Sequence, residues 1–119
     1  MARAKIVKDE IVEQEKTFFA LYIETKNANQ LFLSEGEEKL GTLAVSVPQP
    51  DNLVGASLSS VLLGDRNIMI ARVLAEMLAK NSKKLSLVSV FLKTVSEQEA
   101  APILRKLVEQ ILKKDSDAT

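Results

Sequence analysis

The sequence predicts an α+β fold: a six-stranded antiparallel sheet with two helices packed on it, in the order β-β-β-β-β-α-β-α. Three observations carry this prediction. Up to Leu63, apolar residues come in short β-favouring runs or alternate with a period of two. After Asp65 the period becomes helical, with Ile70, Val73, Leu74, Met77 and Leu78 on one face. The early runs are joined by short polar turns, as in hairpins, which sets successive strands antiparallel and puts the helices on one face. At 119 residues the chain is sized for one domain, 1–119, with 115–119 as a frayed tail.

Each element has a local reason. Residues 4–14 mix Ile6, Val7, Ile11 and Val12 with charges, the composition of a sheet edge. Residues 17–24, TFFALYIE, form a central strand. A polar turn at Lys26–Asn29 leads to a third strand at 30–34. Gly36 marks an acidic turn, and residues 42–47 alternate cleanly, with Leu43, Val45 and Val47 opposite Thr42, Ala44 and Ser46. Residues 48–57, PQPDNLVGAS, are the extended loop signal, and 58–63 are a fifth strand closed by Gly64. Asp65 or Asn67 caps the first helix and Asn81 ends it. Residues 85–92 form the sixth strand. Ser96 and Glu99 make the capping box of a last helix that carries Leu104, Leu107, Val108 and Ile111, and Pro102 should bend it or delay its start.

Composition removes whole classes of function. Sixteen basic residues balance sixteen acidic ones, so the electrostatic footprint of a nucleic-acid binder is missing. There is no Cys and no His, hence no thiolate nucleophile, no imidazole base and no thiolate or imidazole metal ligand. Gly36, Gly41, Gly55 and Gly64 are scattered and no Gly-Lys-Ser/Thr follows them, while Gly55-Ala56-Ser57 lacks the second glycine of a nucleophile elbow. Glu35, Glu37 and Glu38 read as a solvated acidic turn. No catalytic residue, cofactor or metal ligand is therefore assigned. An enzyme would have to work through Tyr22 or a buried carboxylate. The charged first sixteen residues do not resemble a signal peptide, and no apolar run approaches the ~20 residues of a membrane span, so a cytoplasmic protein is expected.

The central strand is apolar on both sides, with Phe19, Leu21 and Ile23 opposed to Phe18, Ala20 and Tyr22. Two helices cover only one face of six strands. The other is expected to present Phe18, Tyr22 and Phe32, more than a monomer leaves in water. Either the N-terminal segment or the long loop folds over it, or a second copy or related subunit packs sheet to sheet across a two-fold axis; the second reading is preferred. In the loop, Gln49, Asp51, Asn52 and Leu53 are candidate partner contacts, if the loop is not simply a tolerated insertion.

Leu40-Gly41-Thr42-Leu43 leading into a strand, then Val61-Leu62-Leu63-Gly64-Asp65 before an amphipathic helix, resembles the proteasome assembly chaperone 3 family. The apolar strand at 85–92 and the helix after Ser96 continue the likeness in the same order, over roughly residues 17–114. The resemblance implies a small α+β chaperone without cofactor or catalytic activity. It would dimerise with itself or with a related chaperone, and would bind proteasome core-particle α-subunits during α-ring assembly. The alternative is a dimeric regulatory or scaffolding subunit of the longin or roadblock type, whose fold brings a helix in earlier.

Overall fold

In the computed structural model, which describes residues 3–49 and 58–117, a two-residue turn sets the first hairpin. Strands β1 (Lys5–Glu13) and β2 (Lys16–Glu24) are antiparallel, with Glu13 opposite Lys16. Gln14 and Glu15 between them have φ of 53° and 65°, the left-handed pair of a type I′ turn, whose twist matches that of the strands. The next turn closes where the Thr25 N–H donates to the Ala28 carbonyl at 2.9 Å. β3 (Ala28–Glu35) therefore starts two residues earlier than the pattern suggests, and Tyr22 lies opposite Leu31.

β4 (Thr42–Val47) and β5 (Leu58–Leu63) pair antiparallel with the expected bounds. Helix α1 (Ile68–Ser82), strand β6 (Leu85–Phe91) and helix α2 (Glu97–Asp117) complete the chain, so five strands precede the first helix. The sheet order is β1-β2-β3-β6-β4-β5. The α+β architecture is as read from the sequence, with one difference: β3 and β6 run parallel. A helix that carries the chain back across a sheet lets the returning strand enter in either sense. Here β6 enters between β3 and β4, antiparallel to β4.

The helix ends differ in detail from the sequence reading. Asn67 precedes α1 with φ 59° and makes no side-chain cap, and the helix closes at Lys83, not Asn81, with the Lys83 N–H on the Ala79 carbonyl. Ser96 caps α2 as expected, accepting from the Glu99 N–H at 3.2 Å. Pro102 lies inside α2, which nonetheless begins at Glu97.

Both helices lie on one face. α1 covers β4, β5 and β6, and α2 covers β1 and β2. Between them and the sheet runs one apolar core, including Phe18, Tyr22, Leu31, Leu33, Val88 and Val90 from the strands and Leu74, Leu78, Leu104, Leu107 and Ile111 from the helices. The slab is 21 Å through its thinnest direction, one sheet plus one helical layer. At its far end Gly41 and Gly64 permit close approaches. A Cβ on Gly41 would overlap the Val90 carbonyl, and one on Gly64 would stand 2.5 Å from the Thr42 hydroxyl, which itself donates to the Arg66 carbonyl. The two motifs that carry the family likeness thus meet in space as a packing device.

Candidate interaction surface

Strand register decides which side of each strand meets the helices. Phe18 and Tyr22 are 0% and 1% exposed and lie in the core beneath the helices. Phe32 pairs with Leu21, not with Tyr22, and therefore points to the opposite side of the sheet. The sequence-derived trio Phe18, Tyr22 and Phe32 is thus split: Phe32 alone belongs to the open face. Its companions there are Phe19, Leu21 and Ile23 of β2, Leu43 and Val45 of β4, and Leu87 and Phe91 of β6, all half-buried against one another. Ile6 and Val12 of β1 and Leu58 of β5, at 61%, 62% and 68% exposure, form its two margins.

Within the described residues no helix or strand lies over this face. Only residues 37–40 curl onto one end of it. Lys39 sits 5.4 Å from the centre of the Phe91 ring, and its backbone N–H and carbonyl both bond the Ser34 hydroxyl at 3.2 Å. Beside this arm lies an open hollow of about 220 Å³ lined by Leu21, Phe32, Ser34, Glu38, Lys39 and Leu40. Leu21, Phe32 and Leu40 give it an apolar floor, and Lys39 and Glu38 place one cation and one carboxylate at its rim.

The two groups an enzyme could have used are both occupied structurally. The Tyr22 hydroxyl donates to Asn29 Oδ1 at 3.0 Å, and Asn29 Nδ2 donates to the Ser82 and Ser86 hydroxyls at 2.7 and 3.3 Å. Burial, reinforced by the negative charges of Glu24 and Asp115, holds the phenol protonated far above its usual range. This network ties β2 and β3 to the end of α1. The buried carboxylate is Glu35, which the acidic run concealed. It accepts the backbone N–H groups of Lys93, Thr94 and Val95 at 2.8, 2.9 and 3.0 Å, and the Thr94 hydroxyl as well. Burial alone would raise its pKa, but these four donors outweigh it and bring the group down to about 2. Glu35 so fixes the turn that launches α2. Among the described residues, no group of three or more acidic side chains is placed to hold a metal ion, and no helix is long and apolar enough to cross a membrane.

Of the loop candidates, Gln49 is half-buried just past β4, while Asp51, Asn52 and Leu53 lie outside the described residues. The sequence reading missed Leu43, Val45, Leu87 and Phe91 as surface residues. Their period-two spacing was visible, but not which parity faces outward.

No protein-family model matches the chain, and no curated protein sequence matches it. Among solved structures, a chain from the crystal structure of a novel chaperone complex for yeast 20S proteasome assembly is similar to it. The TM-score is 0.69 over 98% of both chains, at 15% sequence identity. The likeness is one of fold, over the whole length of each.

Proposed function

We propose that this chain is a non-catalytic assembly chaperone that binds proteasome core-particle α-subunits and promotes α-ring assembly, acting as a dimer in the cytoplasm. The observation that carries the reading is the apolar sheet face over which no helix or strand lies among the described residues, on a fold shared end to end with a chain of a yeast proteasome-assembly chaperone complex. A contiguous apolar face without a covering layer supports a protein-binding role. Face-to-face packing of two such sheets, homo- or heteromeric, would bury Phe19, Leu21, Phe32, Leu43 and Phe91 as a second core. Gln49, Asp51, Asn52 and Leu53, in the segment after β4, are the contacts proposed for an α-subunit. Five strands before the first helix argue against the longin or roadblock alternative.

Co-expression with a full set of α-subunits, followed by native mass spectrometry, tests the reading. A complex of two chaperone chains with one or more α-subunits is expected. Failure to retain any α-subunit at micromolar concentration would overturn it.

A further inference from the structure

The two edges of the sheet are finished differently. β1, at one edge, carries charge at Lys5, Lys8, Asp9, Glu10 and Glu13. α2 ties it down: Lys114 pairs with Asp9 at 3.6 Å and donates to the backbone carbonyl of Lys8 at 3.0 Å, and Lys106 pairs with Glu13 at 3.7 Å. An edge so charged resists the addition of another strand. β5, at the other edge, reads LSSVLL and has no charged residue. Its Leu58, Leu62 and Leu63 are 68%, 56% and 47% exposed. The polar side chains of α1 nearest to it meet at one hydroxyl, where Arg72 Nε donates to Ser59 Oγ at 3.0 Å and the Ser59 hydroxyl donates to Glu76. One turn before Arg72, on the same side of α1, stands the exposed Ile68, with Met69 beside it at 71% exposure.

β5 is hydrogen-bonded to β4 on one side, and among the described residues no strand lies on its other side. In an antiparallel strand alternate residues turn their N–H and C=O groups to opposite sides, so part of the β5 backbone faces outward. The complement of that row is another extended backbone. The side chains around it set the rest of the partner's chemistry. A charge laid against Leu58, Leu62 or Leu63 would lose its water without gaining a counter-ion, so the added strand must be apolar or hydroxyl-bearing along its length. The dimer reading places the second copy on the open face, which leaves this edge for a different chain.

We infer that β5 is a docking edge that takes an uncharged, extended segment of the client α-subunit as an added strand of the sheet. This rests on the chaperone reading above for the source of the strand, and adds where and by which groups it is held. The test is hydrogen exchange read at single residues, on the chain alone, with co-expressed α-subunits, and with a synthetic strand of alternating threonine and valine. Along β5 of the chain alone, fast and slow amides should alternate. A retained α-subunit should slow the fast set by about tenfold or more, and the synthetic strand at millimolar concentration by about threefold. Leu62, which the bulge leaves without a partner in β4, is the place for a guard charge. Leu62→Lys should cut retention of the α-subunit by about tenfold, whereas Leu62→Thr should stay within about threefold of wild type, both folded by circular dichroism. An α-subunit retained with the fast set unchanged would overturn this inference and leave the chaperone reading standing. So would a fast set already slow in the isolated monomer, or slowed only as the chain's own concentration rises, since the chain or its copy would then cover the edge. If no α-subunit is retained, the chaperone reading falls and the synthetic strand decides on the edge alone: slowing keeps β5 as a docking edge, and no slowing overturns that too.

Discussion

The two faces of this sheet are built from the same strands with nearly the same residue types, and they have opposite fates. Phe18, Ala20 and Tyr22 alternate along β2 with Phe19, Leu21 and Ile23, and both sets are apolar. The first set is at most 1% exposed beneath two helices, whereas the second is only half-covered by its own neighbours. Residue identity is therefore a poor guide to which side of a strand stabilises the monomer. The helix side makes the fold, and the open side is apolar without any helix or strand over it among the described residues.

Substitution on the two sides gives the largest contrast. Phe18→Ala should cost about 3–5 kcal/mol in denaturant unfolding, as large-to-small changes in a closed core do. Phe32→Ala, measured at concentrations where the chain is monomeric, should cost about 1 kcal/mol or less while abolishing self-association. Equal destabilisation by both would mean that the faces are energetically alike.

Next comes the carboxylate that anchors the helix layer. Glu35 has its pKa lowered from 4.5 to about 2, so the stability it contributes is complete above pH 4.5 and lost as pH falls through 2. A shift of this size corresponds to about 3 kcal/mol, the extra stability that acidification should remove from the wild type. Glu35→Gln should be less stable at neutral pH and show a flatter acid limb in unfolding monitored by circular dichroism.

The phenol of Tyr22 has the opposite sign. Its pKa is raised, so the stability linked to its protonated form is present below its usual value and falls as pH rises beyond that. It is the single tyrosine of the chain, so an absorbance titration reports it alone. No phenolate should appear until the protein unfolds in alkali. Tyr22→Phe strands the Asn29 amide and should cost about 1–2 kcal/mol. The smallest effect belongs to the first hairpin, where neither Gln14 nor Glu15 favours a left-handed backbone. Replacing them by Asn and Gly should raise stability by about 0.5–1 kcal/mol without touching either face.

Much of this architecture could be read along the chain. Clean alternation placed β4 and β5, the change of period after Asp65 placed α1, and counting helices against strands left one face uncovered. What could not be read depends on contacts distant in sequence. Alternation fixes parity within a strand, but which parities share a face depends on the turn between strands. The Thr25–Ala28 turn puts Leu31, not Phe32, beside Tyr22. Glu35 looked like a member of a solvated run because its donors lie at residues 93–95. Likewise, nothing in β1 alone says that Asp9 has a partner in α2 while Glu10 has no ion-pair partner among the described residues.

The place of β6 at the centre of the sheet has a kinetic consequence. The hairpin block β1-β2-β3 and the block β4-β5 touch through a strand made after both, as Ala28 pairs with Leu85 and Ser34 with Phe91. Until β6 is in place, the two blocks are unjoined half-sheets, each with an open flank. Contacts so remote in sequence close late and slowly. The final thirty-odd residues act as the keystone: a chain truncated before Leu85 should remain two aggregation-prone fragments, however well each hairpin forms by itself.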